Sequence, residues 1–125
     1  MKPRCLPSVA TLIQAFFRQH LIATRGLSPH TVHAYRDAIR ALLVFAAERC
    51  GCSVVDLSFD DLGRDTVLAF LEDLEQKRGN AAVTRNARLA AIHSLCRFVA
   101  LEDPTSLALC QQVLAIPYKR TPFRR

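Results

Sequence analysis

The sequence lacks the signatures of most enzymes. It holds no GxGxxG, no GxxxxGK[ST], no HExxH and no GxSxG, so no phosphate cradle, zinc-hydrolase pair or nucleophile elbow is written in it. Its histidines, His20, His30, His33 and His93, are scattered, with His93 expected at a surface or boundary position. Cys50-Gly51-Cys52 has neither a second pair nor a nearby histidine to complete a zinc site. The five cysteines are an odd set with no framework spacing, which reads as reduced thiols in a cytoplasmic protein. Asp60-Asp61 finds no third catalytic group and reads as surface charge. The first residues contain no apolar core of a signal peptide, and no run reaches the length of a membrane span. Strand alternation, hairpin dipeptides, repeats and low-complexity segments are missing as well. Neither a metal nor another cofactor is expected, and no residue is expected to be catalytic.

What is present is helical punctuation. The 125 residues, half of them hydrophobic, suffice for one domain with a real core. Ser8 is placed to cap a helix to about Thr24, with Leu12, Phe16 and Leu21 on its apolar stripe and Gly26 as its stop. Ser28 followed by Pro29 predicts a second helix, 29–49, that buries Val32, Tyr35, Ile39, Leu42 and Ala46 and stops at Gly51. After a connector anchored by Phe59 and Leu62, Asp65 caps a third helix, 66–78. Val67, Leu68, Leu71 and Leu74 face inward there, Asp73 pairs with Lys77, and Gly79 follows as the stop. A fourth helix spans 82–101 with Leu89, Ile92, Leu95, Cys96 and Val99 inside, and Pro104 ends it. Thr105 or Ser106 opens a short fifth helix, 105–113. The expected fold is all-α: a compact orthogonal bundle of four main helices plus the short fifth, without a sheet. Residues 1–115 form the domain. Residues 116–125, with two prolines and four basic residues, form an extended, mobile linker whose removal from 117 onward leaves stability nearly unchanged.

Charge adds a direction. The net charge is +6 and the estimated pI about 9.5, a balance that suits an anionic partner. Seven of the eleven acids lie between Asp56 and Glu75, whereas Asn80 to Leu101 carries three arginines and no acid. On the second helix His33, Arg36 and Arg40 recur at spacings of three and four, away from the core stripe. On the fourth, Thr84, Arg85 and Arg88 are expected opposite its core stripe, and Asn86 suits adenine if it points outward. Thr31 and Thr84 at helix starts suit phosphate contacts, as do Lys119 and Arg120 in the basic tail. A merely solvated basic face is the alternative for each arginine.

Two of these stretches also carry a resemblance. Ser28-Pro29-His30-Thr31-Val32-His33-Ala34-Tyr35-Arg36-Asp37 resembles the opening of a helix in the N-terminal core-binding (SAM-like) domain of tyrosine recombinases and phage integrases. Thr84-Arg85-Asn86-Ala87-Arg88-Leu89-Ala90-Ala91-Ile92 and the residues on to Phe98 resemble a second helix of that family. Asp65 to Leu74, and Pro104 through Ile116-Pro117-Tyr118-Lys119-Arg120, resemble the intervening helix and the linker to a catalytic domain, so the likeness covers residues 8 to 122. His93 and Cys96 depart from the family's usual basic and aromatic residues.

The resemblance implies a helical domain that closes over one side of duplex DNA while a separate catalytic domain closes over the other. It implies that the second and fourth helices face the major groove and that the full-length protein is a tetramer on paired sites. This domain alone would be non-catalytic. Neither of its tyrosines suits a nucleophile, because Tyr35 is placed in the core stripe and Tyr118 in the linker. A monomeric state for the isolated domain, a standalone DNA-binding regulator and a helical protein-interaction module remain open readings. No membrane partner is expected.

Overall fold

The computed structural model describes residues 9–24, 26–78 and 82–120. The expected cap Ser8 and stop Gly79 lie outside them. Among the described residues there is no strand, and five α-helices carry the fold. They are α1 (Val9–Ala15), α2 (Pro29–Cys50), α3 (Arg64–Arg78), α4 (Ala82–Glu102) and α5 (Leu107–Leu114). The single first helix expected to Thr24 is instead two kinds of helix, because α1 widens into π turns from Phe16 to Thr24. In a π turn hydrogen bonds close at a spacing of five. Phe16 and Leu21, five apart, are both fully buried, and the neighbouring Phe17 is buried with them. Phe16 then joins His20 and Phe98 of α4 in an aromatic cluster with ring centres 5.4–5.7 Å apart.

α2 begins and ends as its residues dictate. The Ser28 side chain accepts the Thr31 N–H at 3.2 Å, and Pro29 occupies the first turn, where it lacks only an amide that has no helical partner. At the far end Gly51 adopts φ 72°, a left-handed conformation. There the Cys52 N–H returns to the Ala47 carbonyl and the Gly51 N–H to Glu48, closing the last turn. Val32, Ile39, Leu42 and Ala46 are buried as expected, with Ala38 and Ala47 beside them; Tyr35 is half-buried against the core.

Two 3₁₀ turns, Val54–Asp56 and Phe59–Leu62, connect α2 to α3 and sink Leu57 and Leu62 into the core. Asp61 accepts the Ser58 N–H at 2.9 Å, so one carboxylate of the Asp60-Asp61 pair caps a turn. α3 starts earlier than Asp65 implied, since Gly63 supplies the carbonyl for Val67. Its buried residues include Phe70, which packs on Phe45 with ring centres 5.7 Å apart. The Lys77 side chain expected to pair with Asp73 lies outside the described residues.

α4 is the axis of the molecule and packs against α2, α3, α5 and the π-helical segment. Its middle is buried on every side: Ala91 through Cys96 are all in the interior. That run is Ala-Ile-His-Ser-Leu-Cys, whose small members let neighbouring helices approach closely. Ser106, one of the two expected starts, sits at the N-cap position of α5, and before it Asp103 caps a 3₁₀ turn, Pro104–Ser106: its carboxylate accepts the Thr105 and Ser106 hydroxyls at 2.6 and 2.9 Å. These bonds hold its pKa below the ordinary aspartate value. After α5 the chain is extended, but Ile116 is only 1% exposed and belongs to the core. The tail expected to be mobile from Ile116 is anchored at its start.

Candidate nucleic-acid interface

The ten residues singled out from sequence separate into two groups. His33, Arg36 and Arg40 are exposed on α2, as their spacing requires. Arg36 lies over the Phe17 ring, its guanidinium carbon 5.6 Å from the ring centre, a cation–π arrangement that restricts the long side chain. Arg18, also exposed, joins Arg36 and Arg40 along a groove of about 520 Å³. Its floor is apolar and includes Ile13, Phe17, Ile39 and Leu43. Sequence reasoning missed Arg18 because the π turns, which have no plain sequence signal, set the face it occupies. Thr31 is half-buried in the first turn of α2; its amide donates to the Ser28 side-chain oxygen and its hydroxyl oxygen accepts the Ser28 hydroxyl, so the cap uses the Thr31 amide and not the Thr31 hydroxyl proton.

The start of α4 differs from expectation. Arg85 does not stand opposite the core: it is 6% exposed. One of its Nη1 hydrogens points to the Pro117 carbonyl at 3.3 Å. Asn86 does not project toward a base. Its Nδ2 donates to the Lys119 carbonyl at 2.7 Å, and its Oδ1 accepts the Lys119 N–H at 2.9 Å. Lys119 in turn sets its ammonium 2.8 Å from the Glu75 carboxylate of α3. Thr84 and Arg88 are half-buried, and Arg120 is exposed. The physical reason for the correction is that the segment after α5 lies against the first turns of α4, so Arg85 and Asn86 meet the chain's own backbone rather than water.

His93 is corrected too, being 3% exposed instead of at the surface. It bridges α4 to the end of the chain. The Val113 carbonyl, 3.0 Å from Nε2, can only accept, so Nε2 carries the proton. Nδ1 is then the acceptor for the Tyr118 hydroxyl at 3.2 Å. Burial pushes the imidazole pKa below its ordinary value and outweighs the Val113 bond, which acts in the opposite sense.

Among the described residues no three His, Cys, Asp or Glu side chains are grouped to hold a metal ion. The described cysteines are unpaired by disulfides. Cys50, although exposed, has a raised pKa from residual desolvation and the Asp61 carboxylate, the opposite of an activated thiolate. Buried Cys96 is held protonated by its thiol hydrogen bond with Cys110 and by desolvation.

Fold and surface together define a small all-α domain with an arginine-bearing face on α2. The chain belongs to the family of the phage integrase N-terminal SAM-like domain, whose model matches residues 13–103. It is 47% identical over 112 residues to a Sinorhizobium fredii protein named as a putative integrase/recombinase, y4rD, and 45% identical over 113 residues to y4rC of the same organism, which bears the same description. It is 36% identical over 98 residues to the tyrosine recombinase XerC of Roseiflexus castenholzii. These alignments cover 90%, 90% and 74% of this chain but 40%, 34% and 29% of the relatives, so the chain spans well under half of each. The matched domain is the N-terminal part of integrases and not the catalytic one. No solved structure matches the chain significantly.

Proposed function

We propose that this chain is the DNA-binding clamp domain of a site-specific tyrosine recombinase and has no strand-cleaving activity of its own. The observation that carries the reading is the exposed set His33, Arg36 and Arg40 on α2, flanked by Arg18, in a domain of the integrase family. Guanidinium groups held at a helix surface pair with phosphates through planar, charge-assisted hydrogen bonds, or with guanine edges in a major groove. Thr31, Thr84, Arg88 and Arg120 are assigned to the same contact. Lys119 is assigned to it as well. The catalytic groups belong to a separate domain of a longer cytoplasmic protein that acts as a tetramer on paired sites.

The test is a gel shift with duplex DNA over a salt series. Phosphate-driven binding weakens steeply as salt rises. Binding that is absent at low salt, or insensitive to salt, sinks the reading. The apolar floor beside Arg36 and Arg40 favours a second reading, a protein partner in that groove, which the same absence of DNA binding would support. Incubation with supercoiled plasmid is expected to give neither relaxation nor a covalent adduct.

A further inference from the structure

The stretch after α5 has the composition of a loose linker, yet consecutive residues of it are tied down by different means. Ile116 is sunk in the core. The Pro117 carbonyl accepts from Arg85, and the Tyr118 hydroxyl donates to His93. Lys119 is held twice, by its backbone at Asn86 and by its ammonium at Glu75, whose two carboxylate oxygens lie 2.9 and 2.8 Å from Nζ. The amide of Asn86 meets both the N–H and the C=O of one residue. That is the exchange of two bonds a paired β-strand residue would offer, so a side chain here does the work of a neighbouring strand. The two bonds also set the amide's orientation, because a backbone N–H needs the oxygen and a carbonyl needs the NH₂.

We propose that Asn86 is a positioning residue that, with Arg85 and Glu75, turns residues 116–119 into a rigid strap fixing where and in which direction the chain leaves the domain. A flexible tether of four residues would let its far end wander by roughly 10–12 Å. The strap removes that freedom, so a segment that follows starts from a set point beside the first turns of α4. This assignment does not require the DNA reading, and it accounts for an asparagine and a nearly buried arginine at the start of α4.

The strap is tested on the intact chain by amide hydrogen exchange, with Leu89 and Ile92 as reporters of global opening. The Lys119 amide is expected to be protected. Asn86→Ala should speed its exchange by about tenfold, the effect of removing a local hydrogen bond, and leave the two core amides unchanged. Exchange of Lys119 at the free-peptide rate in the parent, or unaltered exchange in a folded Asn86→Ala variant, overturns the proposal. Glu75→Gln, a change on the surface of α3, keeps the fold accessible if Asn86→Ala does not fold. It should accelerate tryptic cleavage after Lys119, and a rate equal to the parent's would remove the charge pair from the strap and overturn the three-residue assignment.

Discussion

Arg36 of α2 rests over the ring of Phe17, a residue of the π-helical segment, with 5.6 Å between guanidinium carbon and ring centre. The ring presents the negative face of its quadrupole to the cation and restricts a side chain that would otherwise sample many rotamers. An arginine restrained in this way loses less entropy when it meets a phosphate. The contact also ties the exposed basic face to the core, because Phe17 is buried on its other side.

If His33, Arg36 and Arg40 form the DNA face, Arg36→Ala with Arg40→Ala is expected to weaken duplex binding and lower the log–log salt slope by roughly two units, about 0.9 for each phosphate no longer neutralised. Gel shifts over a salt series provide the measurement. Thermal stability should change little, since both side chains are exposed. An unchanged slope would move the interface elsewhere.

Arg85→Ala should behave in the opposite manner. Its guanidinium is nearly buried and donates to the Pro117 carbonyl. Loss of a hydrogen bond from a charged donor costs about 1.5–3 kcal/mol. A lowered melting temperature is expected, read by circular dichroism, while the salt slope of DNA binding shifts much less than in the α2 double variant. A variant with parental stability and a slope reduced by a full unit would return Arg85 to the DNA face.

Ile116→Ala tests whether the core continues past α5. Truncating a fully buried isoleucine leaves a cavity and costs about 2–5 kcal/mol. For the same reason removal of residues 117–125 is expected to lower stability and not to leave it nearly unchanged, because Arg85, His93 and Asn86 each lose a bonded partner. Urea unfolding measures both, and an Ile116→Ala midpoint equal to the parent's would place that side chain outside the core.

His93 makes stability pH-dependent in a known direction. Its folded pKa lies below the ordinary value of 6.5 because burial disfavours the imidazolium. The unfolded chain therefore binds the proton first as pH falls, and stability present above 6.5 declines between that value and the depressed folded pKa. Asp103 acts in a separate window, below the ordinary carboxylate value of 3.8, because its folded pKa is also lowered. Urea midpoints from about pH 7.5 to about pH 5.5 should fall for the parent and fall less for His93→Gln, which cannot titrate there. Parallel curves would remove His93 as the cause.

Much of the fold could be read along the chain, because helix ends are decided by neighbours. Ser28 with Pro29, Gly51 and Pro104 act within about a turn of their own positions, through caps, a left-handed φ and a missing amide. The amphipathic period of α2 likewise sufficed to bury Ile39 and expose Arg36 and Arg40. Those interactions close over three or four residues, so the sequence alone determined α2 to α5 in outline, the family and the basic face of α2, but not the π turns that follow α1. It did not determine what surrounds α4. A helical period separates one face from the other but does not say that both are covered. Arg85, Asn86 and Lys119 find partners 32, 33 and 44 positions away, in contacts that exist only once the tail has folded back across α4 and α3. Tertiary packing therefore decided that Arg85 and Asn86 hold the chain's own backbone, that His93 is buried, and that a proline-containing basic tail is strapped to the domain: each depends on a long-range partner competing successfully with water for the same donor or acceptor.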